Sequence, residues 1–428
     1  MTQDKALKVL KTGINVFLTG EPGSGKSYTI RRFCQWLQEE HIPYAMTAST
    51  GIAATHVNGV TIHSWSGVGI KEVITDRDIE NVIDNKPYLV RKMNMPRVLI
   101  IDEISMLSAQ TLNNIDQMLR GVRNTLMTGE PFGGMQIVVV GDFYQLPPVS
   151  KMGKKVEFAF SSQAWKDAQF TCCYLHEQHR QSEDAFIDIL TAIRERKLEK
   201  KHIDILKSHD HGDLNLPKTQ LFTHNIDADR INMMELQNIS GEEKIFKMSS
   251  EGNEYLVEML KKNCLSPEIL KLKIGATVML TRNKFEEDGT CEYVNGTLGE
   301  IVGYYQDQPV VQTVDGRRII VARAEWSIEE NDYDGGRKVV AAIKQFPLKL
   351  AWAITIHKSQ GMSLDAATID LSKVFECGQG YVAVSRVRSL AGITIQGKLS
   401  VSSFEVNEDA YARDTEFHAE SDLNDNRY

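Results

Sequence analysis

Nothing in this 428-residue chain is apolar for long enough to cross a bilayer. Its longest apolar runs, Val98 to Ile101 and Ile137 to Val140, fall far short of the roughly 20 residues a spanning helix needs. The opening MTQDKALKVL lacks the apolar centre of a secretory signal. No membrane is expected as a partner, and a cytoplasmic location is. Cysteine is scarce. The six residues Cys34, Cys172, Cys173, Cys264, Cys291 and Cys377 include no C-x-x-C pair, which argues against a zinc ribbon or a disulfide framework. His176-Glu177-Gln178-His179 spaces its histidines three apart, where an H-E-x-x-H zinc site needs four. No low-complexity tract and no internal repeat divides the chain. Positive charge is short as well, with a formal net charge of −8. That deficit is concentrated: residues 404–428 hold eight acids against two bases, and the rest of the chain carries −2. A near-neutral body leaves room for a basic groove, because local rather than net charge meets an anion. The acidic tail reads as mobile and solvated, with competition for such a groove as its alternative role.

What is present begins with Gly20-Glu21-Pro22-Gly23-Ser24-Gly25-Lys26-Ser27. An apolar run, Ile14 to Leu18, precedes it and a helix-like run, Tyr28 to Glu39, follows. Strand, glycine turn and helix form the setting of a phosphate loop. Its backbone N–H groups and the helix N-terminus converge on phosphate oxygens. Lys26 is expected to reach the β- and γ-phosphates, and the Ser27 hydroxyl to ligate Mg²⁺. Downstream, Val98-Leu99-Ile100-Ile101 ends in Asp102-Glu103. Asp102 is expected to hold Mg²⁺ and Glu103 to take a proton from the attacking water. Guanine specificity is not expected, since Asn85-Lys86-Pro87-Tyr88 lacks the aspartate of Asn-Lys-x-Asp.

Strand candidates Asn15–Thr19, Tyr44–Ala48, Val98–Asp102 and Gln136–Val140 alternate with amphipathic helices, a pattern for a parallel sheet covered on both faces. The Gly20–Ser27, Asp102–Glu103 and Gly141–Gln145 motifs each follow a strand end, where ligands of such sheets sit. A second α/β pattern starts near Thr171, with strands at Thr219–Thr223, Gln345–Leu350, Ala366–Asp370 and Gly392–Ile395. Between about Lys271 and Ser327, short alternating runs separated by Asp288-Gly289, Asn295-Gly296 and Asp315-Gly316 predict hairpins of a small antiparallel barrel.

Further segments extend the pattern: Thr47 to Ala54, Thr61-Ile62-His63-Ser64, Gly141-Asp142-Phe143-Tyr144-Gln145-Leu146-Pro147-Pro148, His357-Lys358-Ser359-Gln360-Gly361 and Tyr381 to Arg386. With the phosphate loop, their order resembles superfamily-one DNA helicases of the 5′-to-3′ branch. Within that branch the chain resembles the PIF (petite integration frequency) helicases, relatives of RecD. The distinguishing stretch runs from Ile115 to Arg120 and on through Pro131 to Gln136. The resemblance, from Gln3 to about Gln396, implies two RecA-like parallel-sheet P-loop domains, 1–170 and 171–403. The first carries a wedge insertion at about 68–92, the second an SH3-like β-barrel at about 271–327, and 404–428 is the tail.

The resemblance also assigns roles. Gln3 matches the glutamine that reads adenine, making ATP the expected nucleotide. Gln145 matches the γ-phosphate sensor. Arg180 and Arg386 match two arginines that the second domain aims at the γ-phosphate, where a guanidinium grips oxygens in bidentate fashion. Gln360 and Gly361 match a motif bordering both ATP and DNA. On the strand track, Thr50, Gly51, His63 and Ser64 match positions of the first domain, and Thr223, Asn225, His357 and Lys358 those of the second. Phe143 and Tyr144 either face a base or lie beneath their loop, and Trp65 either stacks a base or is buried. The implied activity is ATP- and Mg²⁺-dependent translocation on single-stranded DNA and unwinding of duplex or fork DNA. The motor is expected as a monomer, with a dimer on DNA possible, and nucleoid-associated if bacterial. A DNA-stimulated remodelling ATPase, a nucleotide-gated binding module and RNA as the track are the competing readings.

Overall fold

Alternation within the N-terminal strands assigns apolar side chains to both faces of one sheet. The computed structural model describes residues 1–57, 59–69, 71–124, 129–148, 157–177, 184–208, 219–223, 225–285, 291–293, 295–313, 316–331 and 337–427. The chain divides into two units, one of residues 1–198, 376–381 and 404–428 and another of 199–375 and 382–403.

In the first unit, β1 (Val16–Gly20), β2 (Tyr44–Ala48), β3 (Val60–Thr61), β4 (Val98–Asp102), β5 (Gln136–Val140) and β6 (Thr171–Leu175) run parallel in the order β3-β2-β4-β5-β1-β6. Val16, Leu18, Val98, Ile100, Val138 and Val140 share a core with α1 (Gln3–Leu10) and α2 (Lys26–Glu39). Phe17, Leu99, Ile101, Ile137 and Val139 point the other way. Two short helices, α3 (Gly51–His56) and α4 (Ile62–Trp65), follow β2 and β3. The stretch expected as a wedge insertion contributes to α5 (Asp76–Asn85) and α6 (Pro87–Asn94), whose Ile79, Val82, Leu89 and Met93 enter the same core as Phe17. That core also takes in α7 (Ala109–Val122) and α8 (Gln163–Ala168). The last helix of this stretch is α9 (Asp184–Arg194).

Two boundaries differ from the sequence expectation. β6 pairs along the whole of β1, from Val16 with Thr171 to Gly20 with Leu175. Its apolar TCCYL therefore completes the first sheet instead of opening the second domain at 171. The acidic tail is not a solvated tail: Glu408–Arg427 is a 20-residue helix. Its Ala410 and Phe417 are buried in the core around Phe17. β6 is an edge strand, and this C-terminal helix covers it. Ser421 Oγ accepts the Tyr174 N–H at 2.9 Å, and Asn424 Nδ2 donates to the Cys172 carbonyl at 3.1 Å.

In the second unit, Ala353–Thr355, Thr219–Phe222, Ala367–Asp370 and Ile393–Gln396 form a four-stranded parallel sheet in that order. The barrel insertion is a five-stranded antiparallel sheet of Arg318–Ile320, Gln308–Thr313, Leu298–Tyr305, Thr277–Leu280 and Leu348–Leu350. Leu348–Leu350, expected in the parallel sheet, thus pairs with Thr277–Leu280 as an edge strand of this antiparallel sheet. Beside it, Ala324–Asn331, Arg337–Gln345 and Ser249–Gly252 make a three-stranded sheet packed by the helix Glu254–Asn263. The hairpin between Tyr305 and Gln308 turns through Gln306 (φ 48°) and Asp307 (φ 60°), not through an Asn-Gly pair. Asp288-Gly289 and Asp315 lie outside the described residues.

Candidate active site

The phosphate loop leaves the carboxyl end of β1 and enters α2. Glycine is required at its two ends. Gly25 has φ +88°, and a Cβ there would lie 2.1 Å from Gln3 Nε2; at Gly20 (φ +140°) it would lie 2.6 Å from the Leu175 carbonyl. Between them, Pro22 is buried and Gly23 turns with φ 91°. Gln3, on the first turn of α1, is 9% exposed and donates through Nε2 to the Ser24 carbonyl at 3.1 Å. It thus touches the loop. Lys26 opens α2, and its Nζ donates to the carbonyls of Gly20 (2.7 Å) and Glu21 (3.0 Å). Ser27 follows it and is exposed. Ser24 Oγ is buried with no hydrogen-bond partner among the described residues.

β4 and β5 bring two further groups to the same end of the sheet. Asp102 ends β4, and one carboxylate oxygen accepts the Glu103 N–H at 2.9 Å. Burial raises its pKa above the usual carboxylate range, against the pull of the Lys26 charge. Glu103 sits in the left-handed region (φ 52°, ψ 48°), and the Ser49 hydroxyl donates to its carbonyl at 2.7 Å. A non-glycine residue held there costs of order 1–3 kcal/mol and persists where the surroundings enforce it. After β5, Gly141 N–H donates to the Leu18 carbonyl at 3.2 Å. The chain then turns on Asp142, whose carboxylate accepts the Tyr144 N–H (3.1 Å) and whose carbonyl accepts the Gln145 N–H (3.0 Å). Gln145 is 6% exposed, and its Oε1 is buried without a hydrogen-bond partner among the described residues. A hydroxyl and a carboxylate, Ser27 and Asp102, form an all-oxygen donor set that suits a hard cation such as Mg²⁺. That ion keeps several waters and needs few protein ligands.

Sequence reasoning missed the group behind this loop. Arg194, at the end of α9, is 4% exposed. Its Nη1 donates to Asp142 Oδ2 at 2.8 Å and to the Tyr381 hydroxyl at 2.9 Å, and its Nη2 donates to the Tyr174 hydroxyl. Asp414 of the C-terminal helix lies 3.5 Å from Nη2, and Glu21 of the phosphate loop 3.9 Å from Nε. The guanidinium carbon is 4.1 Å from the ring centroid of Tyr144. Burial works against the charge of Arg194, but Asp142 and the other partners outweigh it and hold the pKa above its ordinary value. Burial pushes Asp414 up to about 6. A signal did exist in the sequence: Phe186, Leu190 and Arg194 recur every four residues, placing the arginine on the buried stripe of α9.

The expected strand-track residues divide. Thr50 and Gly51 follow the carboxyl end of β2, and Thr50 Oγ1 accepts the Ala53 N–H at 3.2 Å. His63 and Ser64 lie half-buried on α4, and burial lowers the His63 pKa. Trp65 is 3% exposed, in the core. Phe143 and Tyr144, expected among the DNA contacts, present no ring to a base. Phe143 is 3% exposed and packs against Phe17, Phe158, Phe160, Trp165 and Phe417. Tyr144 is 4% exposed under the Arg194 guanidinium. The loop turns both rings inward because the aromatic core of the unit lies on that side.

In the second unit, Thr223 follows the strand Thr219–Phe222, Asn225 opens the helix Asn225–Asn238, and His357 and Lys358 follow the neighbouring strand Ala353–Thr355. Lys349, half-buried, was not anticipated. Burial, then the charge of Lys358, push it down to about 8. Gln360 is buried and Gly361 exposed. Arg386 is 2% exposed, and its Nε donates to the Val382 carbonyl at 3.1 Å. Arg180 lies outside the described residues.

A parallel sheet with its chemistry gathered at the carboxyl ends of three adjacent strands, β4, β5 and β1, is that of a RecA-like P-loop ATPase. Comparison with known proteins narrows the class. The family described as PIF1-like helicase matches residues 3–220, and the 2B domain of DNA helicase Pif1 matches residues 255–304. The ATP-dependent DNA helicase Pif1 of Psychrobacter sp. (strain PRwf-1) is 42% identical over 94% of this chain and 68% of its own length. The crystal structure of Bacteroides sp. Pif1 in complex with ADP-AlF4 superposes with a TM-score of 0.83 at 30% identity, covering 98% of this chain and 96% of that one. That of Bacteroides Pif1 bound to ssDNA gives a TM-score of 0.67 at 31% identity, covering 99% and 97%. The chain belongs to the PIF1-like helicase family of ATP-dependent DNA helicases. Among the described residues, no helix is long and apolar enough to cross a membrane.

Proposed function

We propose that the chain translocates 5′-to-3′ along single-stranded DNA and separates duplex or fork DNA ahead of it, driven by Mg²⁺-dependent ATP hydrolysis. The observation that carries the catalytic half is the gathering of Lys26, the Asp102–Glu103 pair and Gln145 at the ends of adjacent strands. Gln3, seated on the loop, is the adenine reader. Lys26 meets the β- and γ-phosphates, Glu103 accepts the proton of the attacking water, and Gln145 senses the γ-phosphate. Mg²⁺, held by Ser27 and Asp102, would neutralise charge on the phosphate oxygens. Arg180 and Arg386 remain the proposed γ-phosphate arginines on the strength of their motifs. On the DNA side, Thr50, Gly51, His63 and Ser64 in one unit and Thr223, Asn225, His357 and Lys358 in the other would contact phosphates without reading sequence. Gln360 and Gly361 would border both ligands. The Bacteroides relative bound to ssDNA supports that reading.

Lys26→Ala is expected to abolish phosphate release in the presence of single-stranded DNA. Full activity in that variant would remove the phosphate-loop assignment. For polarity, a duplex with a 5′ tail should be unwound and one with a 3′ tail should not. The reverse preference would overturn the direction, and no unwinding of either would leave a remodelling ATPase.

A further inference from the structure

A buried ion pair is weak evidence for stability, because apolar residues of similar volume often serve as well. Arg194 occupies a position on α9 where Phe186 and Leu190 are apolar, so packing alone does not account for a guanidinium. What a guanidinium adds is a planar fork that fixes several oxygens at once. Here the fork holds Asp142 and two phenols, Tyr174 and Tyr381, with Asp414 beside it. Asp142 in turn organises the turn from which Gln145 projects, one carboxylate oxygen on the Tyr144 N–H and the other on Arg194. The backbone of the same turn is braced by Gly378. A Cβ there would lie 2.7 Å from the Gln145 carbonyl, and the Gly378 N–H donates to the Glu405 carbonyl at 3.0 Å.

We propose that Arg194 is a positioning residue for ATP turnover: through Asp142 it sets the loop that carries Gln145, and through Asp414 it makes the C-terminal helix part of that setting. The proposal rests on the reading of Gln145 as the γ-phosphate sensor. Arg194 touches neither nucleotide nor metal in this role. It fixes the starting position of a group that does. Asp414 connects the setting to the C-terminal helix, whose Phe417 also packs against Phe143 of the loop.

The test uses the full chain with Arg194→Lys, Asp414→Asn, Gln145→Ala and the Asp414→Asn/Gln145→Ala double variant. DNA-stimulated ATP hydrolysis is measured per nucleotide site titrated with a fluorescent ADP analogue, together with KM for ATP and the melting temperature. Asp414→Asn keeps the shape of the side chain and all of Arg194's other partners, which guards against loss of folding. Expected for Asp414→Asn and Arg194→Lys is a fall in kcat of roughly tenfold or more, since a misplacement of about 1 Å can cost on the order of 10²-fold. KM and analogue affinity should stay within about twofold, the signature of an interaction lost only in the transition state. The double variant should be no slower than Gln145→Ala alone, because both act on one element. An unchanged kcat per site in Asp414→Asn, even with a lowered melting temperature, overturns the proposal. So do losses that multiply in the double variant. An unchanged kcat in Gln145→Ala takes down the sensor reading itself, and the proposal with it.

Discussion

Phe143 shows how far residue identity determines a role. It stands in the Gly-Asp-Phe-Tyr-Gln segment beside the sensor, and its chemistry suits base stacking equally well as burial. The sequence specifies the segment but not which way a ring turns, because that depends on Phe17, Trp165 and Phe417 arriving from distant parts of the chain. Phe143→Ala is expected to lower unfolding stability by about 3–5 kcal/mol while leaving single-stranded DNA affinity unchanged below the melting transition. A stacked base would instead lose about 1–3 kcal/mol of binding, so a titration beside a denaturation curve separates the two. Lys26, Asp102 and Glu103 were legible because phosphate chemistry allows few substitutes at those places. Arg194 was legible only as a cation on the buried stripe of α9, a periodicity that signals burial but names no partner. Lys349 is known only once the fold brings it near Lys358.

At the scale of the element, the C-terminal helix is the clearest departure from the sequence expectation. Its buried line runs through Ala410, Asp414, Phe417 and Ser421, with one large apolar residue among small and polar ones. A search for hydrophobic periodicity passes over such a line, and eight acids between 404 and 428 read as a solvated tail. The polar members are inward because they have partners there: Arg194 for Asp414 and the backbone of β6 for Ser421. His418 is stacked on Tyr174, with rings 3.6 Å apart, and neighbours His176, Asp414 and Asp422. Burial, then Arg194 and His176, push its pKa down to about 4, below the roughly 6.5 of a free histidine. The folded state therefore binds fewer protons than the unfolded state between these values. Stability from His418 is present above about pH 6.5 and is lost as pH falls towards 4. Asp414 opposes it: with a folded pKa near 6, its contribution is lost as pH rises through that value. His418→Gln should flatten the fall in melting temperature between pH 6.5 and 4. A pH profile parallel to that of the parent chain would rule out this titration.

For the whole molecule, two parallel sheets and the barrel were legible from alternating strand and helix patterns. The three-stranded sheet around Arg337–Gln345 was not, since its strands come from both ends of the insertion. Net charge of −8 gives no guide to affinity for an anionic polymer when cations cluster locally. Binding of an oligodeoxynucleotide should weaken with salt, by about 0.7 in the log–log slope for each phosphate neutralised. Lys358→Ala should reduce that slope by about one such step, and a salt-independent affinity would exclude phosphate contacts as its source. The cover over β6 has a consequence for association between molecules. With the C-terminal helix peeled away, the Tyr174 amide and Cys172 carbonyl would become a row of unmet backbone groups flanked by apolar side chains, the kind of rim on which a strand from another chain can add. Shortening the protein to Val401 would thus do more than weaken a fold: it would expose an adhesive border, and the shortened molecule should assemble into larger species as its concentration rises.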